Sequence, residues 1–247
     1  MRLMAALTAV LLLTACGSGT SVGQGTSASS GTTPAVTSAG GTVLQPPEDR
    51  RWVGMDDVVV AVPERWGTET QPCAEPVGDT VFFIGPSSAV LDCSTVPTAH
   101  VSSLTIASAD SGAVSLGRRL DQGAEVNDLR MSHSGIACRA APTGPCTVTF
   151  VVSGSDAAFH VIYRGADAEA FVDGVFRSVT RLPSGQTTVP LIDYGTSVVE
   201  AEKQLIEAGL VGHAPDVNFP HYATGTHPPA GTVVEVGQVV ELTIGDG

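Results

Sequence analysis

Six short apolar runs followed by one helical stripe restrict the fold of this chain more than any other feature. Val58-Val59-Val60-Ala61-Val62 stops at Pro63, and Thr80-Val81-Phe82-Phe83-Ile84 stops at Gly85-Pro86. Residues 89–92, 101–106, 147–152 and 158–163 repeat the style. Runs rich in β-branched and aromatic side chains, bounded by turn formers, suit a pleated, half-buried surface and predict strands. After Gly165 the period changes. Ala168, Phe171, Val172, Val175, Phe176 and Val179 fall at i, i+3, i+4, i+7, i+8 and i+11, one apolar stripe on a helix over 166–180. Asp167 and Glu169 at its start and Arg177 and Arg181 near its end complement the helix dipole. Residues 48–183 therefore read as an α+β domain, a central antiparallel sheet closed by a C-terminal helix.

The opening residues, MRLMAALTAVLLLTAC, set the expected compartment. Arg2 precedes an apolar run over 3–13, well short of the ~20 residues a spanning helix needs, which predicts a signal peptide over 1–15. Its end, Leu13-Thr14-Ala15-Cys16, resembles the bacterial lipobox. That resemblance implies diacylglycerol transfer to Cys16, cleavage before it and further acylation, palmitate being a typical chain. Each buried CH₂ contributes about 0.8 kcal/mol, so two or three acyl chains hold a protein stably. The expected location is the extracytoplasmic face of the bacterial cell membrane, with the lipid as sole anchor. Residues 17–47 contain no charge and no aromatic. With Cys16 they read as a disordered Gly/Ser/Thr-rich tether over 16–47. A flexible coil of about 30 residues spans roughly 30 Å. It serves either as a reach into the cell wall or as a bare spacer.

Cys73, Cys93, Cys138 and Cys146 follow Cys16. An even number in an exported chain predicts two disulfides. Four cysteines admit three pairings, and the sequential one, Cys73 with Cys93 and Cys138 with Cys146, is favoured because short loops close most easily. No CxxC pair exists, so no metal site is read from the cysteines.

Twelve Lys and Arg against twenty-five Asp and Glu give a net charge of −13. A nucleic-acid groove needs clustered cations and is excluded. Attraction to an anionic lipid surface is disfavoured for the same reason.

The last quarter is organised differently. Ser197 and Glu200 form a capping box before a helix whose inner face carries Val198, Ala201, Leu205 and Ala208. Its outer face carries Glu200, Glu202, Lys203, Gln204 and Glu207, Lys203 being the only lysine of the chain. Gly209 suits the C′ position, with Leu210 meeting Leu205 in a Schellman ending. Residues 228–244 then predict two strands about a Gly237-Gln238 turn, with Val240, Leu242 and Ile244 alternating with Glu241 and Thr243.

The spacing Val189-Pro190, Gly195, Ala201-x-x-x-Leu205-x-x-Ala208-Gly209-Leu210, Pro228-x-x-Gly231 and Gly237-x-x-Val240-x-Leu242-x-Ile244 resembles the PASTA domain. PASTA modules are appended to penicillin-binding proteins and bacterial Ser/Thr kinases. The resemblance covers 189–247 and implies one helix packed on a short sheet, with peptidoglycan or a cell-wall protein as partner. Family members carry a further strand between the helix and the Pro-x-x-Gly turn, and residues 211–227 show none in sequence. Lys203 is the segment's one cation against eight acidic residues, a thin basis for pairing with wall carboxylates. Upstream, Val62-Pro63-Glu64-Arg65-Trp66 together with the helix over 166–180 resembles the PsbP/Mog1-like domains of exported actinobacterial lipoproteins, which supplies no catalytic residue to transfer. Trp66 reads as a core-edge packing residue.

Catalysis needs a nucleophile, a base and a group that orients them. No HExxH, SxxK or Walker loop is present. His133-Ser134-Gly135-Ile136-Ala137-Cys138-Arg139 departs from the cysteine context of L,D-transpeptidases, since Ala137 replaces glycine and Arg139 follows directly. His213, His221 and His227 share a segment with Asp216 and read as a solvated loop. The expectation is thus no cofactor, no metal and no catalysis, but a lipid-anchored envelope protein whose C-terminal module associates with peptidoglycan or the machinery that builds it. The alternative is a protein-partner subunit in which that module is only a spacer.

Overall fold

The computed structural model describes residues 43–70, 77–85, 101–109, 119–139, 144–215 and 222–245, which all lie in one compact unit. Cys16, Cys73, Cys93 and the run over 89–92 lie outside the described residues. The fold is mixed α+β and mostly sheet, with two helices among the described residues.

The first part contains β1 (Arg50–Met55), β2 (Val58–Pro63), β3 (Gly67–Glu69), β4 (Thr80–Ile84), β5 (Ser103–Ser108), β6 (Gln122–Val126), β7 (Leu129–His133), β8 (Ala137–Cys138), β9 (Cys146–Val152), β10 (Ala157–Tyr163), α1 (Ala168–Arg177) and β11 (Thr180–Arg181). The large sheet runs β3-β4-β5-β10-β9-β7-β6, with β8 also on β9. β1, β2 and β11 form a separate three-stranded sheet. The expectation of a purely antiparallel sheet is corrected, because β3 with β4 and β4 with β5 pair in parallel. Residues 70–79 and 85–102 separate these strands in sequence, and a tight hairpin could not join a parallel pair. The helix is shorter than 166–180, since Thr180 and Arg181 pair with Val59 and Val58.

The stripe read from the sequence is the buried face of α1: Ala168, Phe171, Val172, Val175 and Phe176. It packs on one face of the large sheet and on β2, in a core that includes Leu104, Phe150, Phe159 and Val60. Phe150 stacks on Phe159 at 5.0 Å and meets Phe176 edge-on at 5.2 Å. Burying each such side chain contributes about 1.5–3 kcal/mol, which fixes α1 on this face. Trp66 is 2% exposed and stacks on Phe171 at 5.6 Å, the packing role expected of it. The opposite face is polar yet buried. Ser103, Thr105, Thr149 and His160 are 3% exposed or less, and Thr149 Oγ1 lies 2.8 Å from His160 Nδ1.

The second part contains β12 (Gln186–Thr188), β13 (Thr196–Ser197), α2 (Val198–Glu207), β14 (Val211–His213), β15 (Tyr222–His227), β16 (Val233–Glu235) and β17 (Val239–Gly245). α2 lies against the four-stranded sheet β13-β15-β17-β14. Ala201, Leu205, Leu210, Val240 and Leu242 meet in a second core. The Glu200 N–H donates to Ser197 Oγ at 3.3 Å, one half of the expected capping box. Glu200's carboxylate turns instead to Lys203 Nζ at 3.2 Å. The C-terminal end is a Schellman motif: Leu210 N–H donates to Leu205 O at 2.8 Å and Gly209 N–H to Ile206 O at 2.9 Å. Gly209 has φ +77°, the left-handed conformation this motif requires.

Two expectations fail here. The strands flanking Gly237-Gln238 do not pair with each other, since β16 joins β12 while β17 joins β15 and β14. Alternation specifies a strand's buried face and leaves its partner open. The segment over 211–227, read as strandless, supplies β14 and β15; Gly212, Gly225 and the Thr-Gly-Thr run weakened the pattern.

Candidate functional site

The two parts meet along a seam built largely by residues 228–233. The loop before β16 carries Ala230 into the first core, where it is 2% exposed. Gly54 N–H donates to Gly231 O at 3.2 Å, and Val53 pairs with Thr232 in a single bridge that extends the β1 edge. Val189 closes the turn from the other side, its N–H donating to Thr232 O at 2.9 Å and its carbonyl accepting from Gly231 N–H at 2.7 Å. Thr188 Oγ1 donates to Asp56 O at 2.9 Å. The end of the charge-free stretch joins the seam too: Leu44 is half-buried and its N–H donates to Gln186 Oε1 at 2.9 Å.

Two cavities of opposite chemistry open along this seam. One, of about 470 Å³, has an apolar floor that includes Met55, Phe83 and Leu191, and carries Asp56, Asp57, Asp156 and Glu207. No cation lines it. Burial raises the Asp56 carboxyl above the ordinary aspartate range, and the charges of Asp156 and then Asp57 add to the effect. Asp57 is itself held by Arg181.

The other cavity, of about 540 Å³, is lined by Arg51, Trp52, Trp66, Gln186, Pro229 and Thr232 among others, and among the described residues no carboxylate is part of it. Arg51 is half-buried. Its Nη2 donates to Trp66 O and Gly67 O, both at 3.1 Å, and to Thr68 Oγ1 at 2.8 Å. No carboxylate among the described residues pairs with it; Arg177, Arg181 and Lys203 take the ion pairs. Burial alone moves the guanidinium below the ordinary arginine value, and it stays charged. Nε1 of Trp52 and of Trp66 are buried without an acceptor, two of four such side-chain atoms among the described residues. A buried donor left unmade costs about 1–3 kcal/mol, so two beside one cavity require an explanation.

Apart from Trp66, which lines this cavity, the residues singled out from sequence fall elsewhere. Cys138 and Cys146 stand directly opposite on β8 and β9 and form a disulfide with Cα atoms 4.0 Å apart. The Cys138 sulfur is thus bonded, and His133 Nδ1 accepts from Gly135 N–H at 3.0 Å. Lys203 is exposed and engaged within its own helix, 3.2 Å from Glu200 and 3.8 Å from Glu207, and the hydrogen bond and charges of these carboxylates raise its pKa. His213 and His227 lie on strands rather than in a loop, flanking Glu241 in register from either side of β17. His221 and Asp216 lie outside the described residues. No group of three metal-binding side chains occurs among the described residues.

Sequence reasoning missed Arg51 and Trp52 because they precede the first strong apolar run. The available signal was that only two tryptophans occur in the chain, both near its first strands. Compared with protein-family models and with curated proteins, the sequence matches none.

Proposed function

We propose that this chain is a non-catalytic, lipid-anchored protein of the bacterial cell envelope, whose C-terminal helix-on-sheet unit, a PASTA module, associates with peptidoglycan or with the machinery that builds it. The observation that carries this reading is α2 on its four-stranded sheet. The residues of the PASTA resemblance hold structural posts there: Leu205, Leu210, Val240 and Leu242 are core, Gly209 ends the helix, and Gly231 makes the seam turn. The lipobox at Cys16 and the tether beyond it supply the anchor.

Sedimentation with purified peptidoglycan tests the wall association. It uses the whole chain, because Ala230 belongs to the first core and removal of 189–247 would open that core. The chain is expected to pellet with peptidoglycan, and recovery in the supernatant at all wall concentrations would remove the reading. The anchor is tested by Cys16→Ser, which should move the protein from the membrane fraction to the released fraction.

One observation favours a protein partner instead. Val240 and Leu242 face α2, so Val239 and Glu241 face away, and Val211, Tyr222 and Val239 on that outer face are 49%, 48% and 54% exposed. This face also carries Glu241 between His213 and His227, and exposed apolar side chains mixed with charged and polar ones suit a protein surface better than a glycan. Crosslinking from position 211 or 239 that captures one protein, with no wall pelleting, would establish this second reading.

A further inference from the structure

The weakness of a wall-binding reading is charge, because Lys203 is the module's single cation and is engaged by Glu200 and Glu207. The seam supplies a cation from the other part of the fold. Arg51 stands at a cavity with no carboxylate among the described residues of its lining, in a chain with about twice as many acidic as basic residues. A partly buried guanidinium is ordinarily matched by a carboxylate or another acceptor of its charge. Among the described residues only neutral oxygens meet it, through Nη2. The sister cavity, lined by four carboxylates, shows that acidic side chains are available on the same seam.

The rest of the lining is of two kinds. Trp52, Pro46 and Pro229 offer flat apolar surface, Trp66 adding little of it at 2% exposed, and Gln186 and Thr232 offer neutral amide and hydroxyl groups. A volume of about 540 Å³ falls within the ~300–1,000 Å³ of small-ligand sites. Apolar flats beside amides and hydroxyls match a sugar ring, with its C–H faces and hydroxyl edge.

We propose that this cavity binds an acidic sugar, with Arg51 holding the carboxylate and the tryptophan and proline lining receiving the ring. That the sugar comes from the wall rests on the peptidoglycan reading above; the carboxylate preference rests on Arg51 alone. The site is composite: Arg51 and Trp52 come from β1, whereas Pro229 and Thr232 come from the turn that docks the C-terminal unit.

The chain's only tryptophans, Trp52 and Trp66, both line the cavity, and because Trp66 also borders a second pocket beside Arg65 and Asp79, the emission change is followed in Trp66→Phe as well, where Trp52 alone reports. The probes are N-acetylmuramic acid and N-acetylglucosamine, which share a ring and differ by the lactyl ether that carries the carboxylate. Titrated into the full chain, the acid should give a saturable emission change, at least tenfold tighter than the neutral sugar and weakened by added salt. Equal responses to both sugars, or no saturable response to the acid, would overturn the proposal. Arg51→Gln should abolish the preference. It also removes three hydrogen bonds to Trp66, Gly67 and Thr68, so its thermal melt is checked in parallel, and the two-sugar comparison on the unaltered chain decides without it. If the chain pellets with peptidoglycan but shows no acid preference, this inference falls and the wall reading stands. An acid preference without pelleting upholds the cavity and removes the wall as its source.

Discussion

Gly231 lies directly against Phe83. A β carbon at Gly231 would come within 2.1 Å of Phe83 Cζ and 3.0 Å of Gly54 O, and φ at this residue is +75°. Both the contact and the left-handed backbone exclude a side chain. Overpacking of this kind costs about 1–3 kcal/mol and a left-handed alanine a further ~1–2 kcal/mol. Gly231→Ala is therefore expected to lower stability by about 2–5 kcal/mol, read as the midpoint shift in urea. An unchanged midpoint would mean that the seam is not formed in solution.

Ser197 provides a gentler probe of the second core. Its hydroxyl accepts one of the free N–H groups at the start of α2. Ser197→Ala should cost about 1 kcal/mol, and Ser197→Asp should restore most of it, since a carboxylate both caps and complements the helix dipole. Circular dichroism melts of the two variants check this.

Asp56 sets a pH dependence whose sign follows from crowding. Burial, then Asp156, then Asp57 raise its folded-state pKa. The folded chain thus holds this proton more tightly than the unfolded one, and stability falls as pH rises from the ordinary aspartate range through the raised value. Asp56→Asn removes the penalty and suits the backbone, whose φ of +54° asparagine adopts readily. The melting temperature of the variant should exceed that of the parent at neutral pH, with the gain vanishing once both states are protonated. Because Asp56 is only partly withdrawn from water and its residue surface is still largely open, screening keeps the effect small.

The Cys138–Cys146 bridge closes a loop with a sequence separation of 8. Chain-entropy arguments assign about 2–3 kcal/mol to so short a loop. The paired Cys138→Ser, Cys146→Ser variant should lose that amount in denaturant titrations. Alkylation of the unreduced, denatured parent, followed by mass mapping, should leave both cysteines unlabelled.

Features specified by local chemistry were legible in the sequence. The stripe from Ala168 to Val179 gave α1 and its buried face, because helical period and burial are one signal there. Ser197, Gly209 and Leu210 gave both ends of α2, since caps act within a few residues. Partners distant in the chain left no such trace. Nothing around Gly67 or Thr80 announces a parallel pair, and Gly237-Gln238 has hairpin chemistry without making a hairpin, because β16 finds Gln186–Thr188 instead. The candidate cavity was illegible for the same reason: Arg51 and Thr232 are neighbours only once the seam has formed. Ala230 and Gly231 were visible as part of a Pro-x-x-Gly turn, but that pattern says nothing of the Phe83 beneath it.

Because Ala230 is core to the first part while the turn carrying it belongs to the second, residues 189–247 are not an interchangeable cassette. A chimera receiving another helix-on-sheet unit would keep its fold only if the graft brought a small residue to position 230 and glycine to 231, or if Phe83 and Gly54 were recut to match. This unit is keyed to its neighbour through Ala230 and Gly231.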